Sequence, residues 1–226
     1  MINLVKSELY KIKFERSIWI ILLMVLAISV NNFGLQTSSS GKEALMSSTR
    51  DFVTLFACAT YAGMSIGNDF SKRTINKVII SGHTRFTVML SKLIHFYFGC
   101  TIIYFSTAFL ITIPYALTKG WGTNLTEVKA VFVYLILTLF FTLCTSTIMF
   151  LIAFIIKETG VATAICIFAM LVFILSIKDS SFAATTMAIN FINGNGSIII
   201  GILFGIVQMI LGIVLSYIHF KKVELK

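Results

Sequence analysis

Six stretches of this chain, residues 17–35, 52–68, 93–117, 130–156, 159–177 and 197–220, contain no Asp, Glu, Lys or Arg. A helix needs about 20 predominantly apolar residues to cross about 30 Å of hydrocarbon, so each stretch has the length of a membrane span. All nine acidic and all eighteen basic residues fall outside these limits. A charge at mid-bilayer costs about 2.5–3.5 kcal/mol even on the insertion scale, and such exclusion is what true spans require. Composition agrees: 58% of the 226 residues are hydrophobic and 12% charged, whereas soluble domains carry about 25% charged residues. The expected fold is an all-α membrane protein with six transmembrane helices, forming a single transmembrane domain over residues 1–226.

The net charge of +9 would suggest nucleic acid in a soluble protein. Here the basic residues flank apolar spans, where translocation rules and anionic headgroups account for them, so no nucleic-acid partner is expected. Counting Lys and Arg between successive spans places thirteen on the side of both termini and five on the other. The positive-inside rule then predicts a multi-pass protein of the cell membrane with both termini cytoplasmic. Lys6, Lys11, Lys13 and Arg16 precede the first apolar run as in a signal peptide, but no small-residue cleavage site follows, and the first span is expected to stay attached.

Three segments between spans are informative. Ile2, Val5, Leu9 and Ile12 recur at helical spacing while Asn3, Lys6, Tyr10 and Lys13 face elsewhere, the pattern of an amphipathic surface helix; an ordinary charged anchor is the alternative. Between the second and third spans, Ser71 is positioned to cap a short helix on which Ile75, Val78 and Ile79 share an apolar face. Gly82 is positioned to end it, and Thr84 to start the next helix. A short helix with one apolar and one cationic side suits docking into a cleft on a soluble partner; the alternative is a loop whose apolar face rests on the protein's own helices. Residues 178–197 include an apolar core, 182–192, about half the length of a span, followed by Gly194 and Gly196. They read as a re-entrant segment before the last span or as a plain external loop.

No Asp, Glu, Lys or Arg lies in the middle of a predicted span, which disfavours an intramembrane enzyme and an ion-coupled pump. The chain contains no G-x-x-x-x-G-K-[ST] phosphate loop, so any ATP and magnesium belong on a separate subunit and no cofactor is expected on this one. The histidines His83, His95 and His219 lack metal-ligand spacing, and Cys58, Cys100, Cys144 and Cys166 lie in apolar segments without paired spacing. No metal site is expected. Ala59, Gly63 and Gly67 recur every four residues, as do Gly201 and Gly205, which predicts close helix packing. Pro114 is expected to kink or end the third span.

The segment D-F-S-K-R-T-I-N-K-V-I-I-S-G-H-T-R followed by Lys92 resembles the corresponding part of ABC type-2 exporter permeases. There an acidic or aromatic residue precedes G-T, a hydrophobic stretch, a small residue or Pro, an Arg, and a Lys entering the next span. Asp69, Phe70, Thr74, Ile75, Gly82, Arg85 and Lys92 take those positions. Arg73 stands where the family has Gly, and the frequent Pro is replaced by nearby Gly82. The resemblance implies that Arg73, Thr74, Ile75, Lys77, Val78, Ile79, Gly82 and Arg85 belong to a coupling helix docking on a cytoplasmic ABC ATPase dimer. It also implies a second permease copy or a homologous permease. Small bacterial permeases of this kind resemble exporters of antimicrobial or amphipathic peptides, including lantibiotic immunity systems and exporters of phenol-soluble modulins. A non-transport membrane scaffold or sensor subunit is the rival reading.

Overall fold

The computed structural model describes residues 2–35, 40–50, 52–122, 125–177 and 198–222. Every regular element among them is helical: α1 (Ile2–Ile12), α2 (Arg16–Leu35), α3 (Gly41–Arg50), α4 (Phe52–Ser71), α5 (Thr74–Ile80), α6 (Arg85–Lys119), α7 (Leu125–Ile155), α8 (Thr159–Ile177) and α9 (Ile198–Lys222). Three are long and apolar enough to cross a membrane, over Arg85–Lys119, Val131–Ile155 and Gly201–Lys222. A fourth arises if α1 and the first part of α2, bent by 45° at their junction, form one broken span. These three or four candidates overlap four of the six stretches predicted from charge exclusion, those at 93–117, 130–156, 197–220 and, for the bent pair, 17–35. The expected re-entrant segment at 178–197, with Gly194 and Gly196, lies outside the described residues.

The outer surface is apolar. Leu23, Phe98, Phe109, Phe168, Leu203 and Val207 are all exposed, far more than a water-soluble chain tolerates in contiguous patches, and hydrocarbon is the solvent that makes this surface neutral.

Helix α4 is the centre of the bundle, packed against α2, α6, α7 and α8. Its central location explains its composition, since a helix surrounded by protein needs no lipid-facing side. It buries Thr54 and Ser65 beside Ala57, Ala59 and Ala62, and Thr54 hydrogen-bonds Thr107 of α6 at 2.9 Å. Its shorter, less apolar sequence accordingly falls outside the candidate spans. The small residues set its distance to α8: a Cβ on Gly63 would lie 2.4 Å from Thr163 Cα, and one on Gly67 2.7 Å from Thr159 Cα. Ala59 is fully buried on the same helix. On α9, a Cβ on Gly205 would come 2.9 Å from the Phe140 ring of α7, and Gly201 is buried one turn before it.

Two local expectations are corrected. Of the kink or end expected at Pro114, the end does not occur, because α6 continues to Lys119. Ser71 does not cap α5. It closes α4 and bonds Thr159 Oγ1 at 3.0 Å, while Arg73 takes the cap position without a side-chain bond. Residues 41–50 form α3, which packs on α6. Thr84 does start the long helix, accepting from Thr87 N at 3.3 Å.

Candidate functional site

At one end of the bundle α1, α4, α5 and α6 converge on a buried ionic junction. Helix α1 turns Leu4, Glu8 and Ile12, spaced by four, toward the bundle and leaves Ile2, Lys6 and Tyr10 outside. Its inner face therefore carries a carboxylate among apolar neighbours and packs on α6, instead of being the uniformly apolar stripe expected of a surface helix.

Lys92 of α6, 3% exposed, places its ammonium 2.6 Å from Glu8 Oε1 and 2.6 Å from Asp69 Oδ2. Lys11 of α1 pairs with Asp69 Oδ1. Thr74, the first residue of α5, donates to the same Oδ1 at 2.9 Å and also bonds the Asp69 carbonyl at 3.0 Å. Asp69 thus ties α1, α5 and α6 to the end of α4. A buried charge is tolerated only when paired and hydrogen-bonded, and here each cation touches a carboxylate. Burial opposes the charge of Asp69, but Lys92 and then Lys11 more than offset it and hold the carboxyl below its ordinary value of 3.8. Burial likewise opposes charge at Lys11, and Asp69 beside it raises the ammonium above its ordinary 10.5.

One turn along α6 from Lys92, His95 continues the junction. Its Nδ1 lies 2.8 Å from the Glu8 backbone oxygen, and its Nε2 lies 2.9 Å from Glu15 Oε2. Tyr61 Oη approaches Nε2 at 3.0 Å and Glu15 Oε2 at 3.3 Å, and Ser65 Oγ reaches Nε2 at 3.3 Å. Glu15 stands at the corner between α1 and α2, where Trp19 Nε1 donates to the Lys13 carbonyl at 3.0 Å. Burial works against the Glu15 charge, while its hydrogen bond and charge interaction with His95 hold the carboxyl below its ordinary 4.5.

Helix α5 is anchored apolar side inward. Ile75 is fully buried, and Val78 and Ile79, partly buried, pack against the main core, so the Ile75–Val78–Ile79 face rests on the protein's own helices. The outward side presents Lys72, Arg73, Lys77 and Ile80, the last 84% exposed. Arg73 adopts φ 54°, ψ 26°, the left-handed region that Gly enters at least cost; the backbone at this Gly-to-Arg position keeps a glycine-like shape. Gly82, at φ 93°, follows the end of α5, and its N–H donates to the Ile79 carbonyl at 3.0 Å. Arg85 points away from α5, its Nη1 donating to the Phe220 and Lys221 carbonyls at 3.0 and 2.9 Å, where a cation satisfies the C-terminal end of α9.

Among the sequence-derived candidates, Thr74 and Ile75 reach the junction or its floor, Arg73 and Lys77 face outward, and Arg85 serves α9. Sequence reasoning missed Glu8, Lys11, Glu15, Lys92 and His95 as one group. The signal was an acid at the centre of the Leu4–Glu8–Ile12 stripe, with Lys92 and His95 three apart on one helix face. Among the described residues no cluster of His, Cys, Asp or Glu is arranged to hold a metal ion. No protein family, curated protein or solved structure matches this chain.

Proposed function

We propose that this chain is the transmembrane permease subunit of an ATP-binding-cassette exporter, with six spans, both termini cytoplasmic, and ATP and magnesium held by a separate ATPase dimer. A second permease, identical or homologous, completes the path, and the cargo is an amphipathic or antimicrobial peptide. The observation that supports this reading most is the attachment of α5. A short helix with a cationic outer side is linked through Thr74 to Asp69, and through Asp69 to Lys92 and Lys11. A push on α5 is therefore delivered to α1, α4 and α6 together, as rigid-body rocking requires. The apolar exterior and the motif around Thr74, Ile75, Gly82, Arg85 and Lys92 agree with it.

The docking contacts belong to the outer side of α5. Lys77→Glu and Ile80→Asp change exposed side chains and should abolish copurification of a coexpressed partner ABC ATPase while leaving the permease folded. Adding candidate peptides to the copurified complex should raise its ATP turnover. Normal ATPase recovery with both variants would reject the coupling role of α5.

A further inference from the structure

Among the described residues the junction holds three carboxylates, Glu8, Glu15 and Asp69, but only two ammonium groups, Lys11 and Lys92, in direct contact with them. One further proton balances the charge, and His95 is placed to hold it. The ring geometry points the same way. A backbone carbonyl only accepts, so the 2.8 Å contact with the Glu8 oxygen requires a proton on Nδ1. The 2.9 Å contact between Nε2 and Glu15 Oε2 requires a second proton between those two atoms. Without it two lone pairs face each other in a site that excludes water.

We propose that His95 and Glu15 form a buried proton-binding site, and that the proton between Nε2 and Oε2 latches the α1–α2 corner onto α4 and α6. With the proton present, Nε2–H donates to Glu15 Oε2, and Tyr61 O–H donates to the same oxygen from 3.3 Å. Once the proton leaves, the contact becomes repulsive and the Tyr61 hydroxyl turns to the free Nε2, 3.0 Å away. Glu15 then has no donor on His95 and the corner is released. Raising the pH opens the latch and lowering it closes it.

The groups facing the pair are known from each packed element. Helix α1 contributes Glu8, whose Oε2 lies 3.9 Å from Nδ1 and has no hydrogen-bond partner among the described residues, and Lys11 through Asp69. Helix α4 contributes Tyr61, Ser65 and Asp69, and α6 its own Lys92. The unpartnered Glu8 oxygen gives the imidazole a second carboxylate on its other side, as expected of a site that exchanges protons. The site is a property of the junction and exists whether or not an ATPase docks on α5.

The chain contains two tryptophans and three histidines, so W121F leaves Trp19, at the corner itself, as the optical reporter, and H83Q/H219Q leaves His95 as the remaining imidazole. Full-length protein in lipid nanodiscs is titrated between about pH 5 and pH 9, following Trp19 emission and the ¹⁵N spectrum of labelled histidine. The expected result is one reversible step in which Nε2 loses its proton and Trp19 emission shifts together. The Trp19 step is lost in E15Q and in H95Q and retained in H83Q. The ¹⁵N titration uses native His95 and Glu15, so it decides the matter even if E15Q or H95Q fails to fold. A ring whose protonation does not change across the range overturns the proposal. So does Trp19 emission that ignores the ring, or a step that survives in folded E15Q or H95Q.

Discussion

Replacing Lys92 with methionine keeps the length of the side chain and removes its charge. The ammonium is 3% exposed and lies within 2.6 Å of both Glu8 Oε1 and Asp69 Oδ2. Asp69 retains Lys11 and Thr74, whereas Glu8 loses its closest cation and keeps only the more distant His95, 3.9 Å from Oε2, among the described residues. Breaking one side of a buried pair costs about 3–5 kcal/mol. The chain can also escape by protonating the stranded carboxyl, which at pH 7 costs about 4 kcal/mol for an ordinary glutamate. The loss at pH 7 is therefore about 3–4 kcal/mol, capped by protonation, and it shrinks by about 1.4 kcal/mol for each unit the pH is lowered. Equilibrium unfolding in mixed micelles, followed by circular dichroism at pH 7 and again near pH 5, measures both numbers. Pairing K92M with E8Q should restore most of the loss, because the amide needs no cation. A K92M protein within about 1 kcal/mol of wild type at pH 7, or one whose deficit is the same at both pH values, would refute the reasoning.

Two further outcomes follow from the packing and from the charges. Gly63→Ala forces a methyl against Thr163 Cα at 2.4 Å, a backbone atom that cannot swing aside, and should cost about 1–3 kcal/mol. Gly205→Ala meets the far edge of the Phe140 ring and should cost clearly less, the comparison being made by thermal midpoints in detergent. The pH dependence on the acid side has a definite sign. Asp69 and Glu15 have carboxyls held below their ordinary 3.8 and 4.5, so their stabilisation is complete above those values and disappears as the pH falls through the lower folded values. The thermal midpoint should therefore drop on acidification below about pH 4 and drop less in D69N/E15Q; equal acid sensitivity in both proteins would contradict this assignment.

Much of the fold was legible in the residues alone because its causes are local. Exclusion of charge from long apolar runs marked the helices containing the three or four candidate spans, and Gly82 and Thr84 marked the end of α5 and the start of α6. The junction was not legible, because it joins residues up to 87 positions apart, such as Glu8 and His95.

What the sequence determined by itself was where helices form and which side chains share a face, since both depend only on residues a few positions apart. What tertiary structure decided was which face meets what. Ile75, Val78 and Ile79 form an apolar stripe by spacing, yet spacing does not say whether that stripe meets a partner or the chain's own core, and the fold turns it onto the core with Ile75 buried. The same ambiguity hid the central place of α4. In hydrocarbon, lipid and protein interior are equally apolar, so hydrophobicity no longer separates inside from outside. Only the assembled bundle showed that Asp69, Lys92 and His95, each unremarkable in its own helix, meet where α1 closes over them.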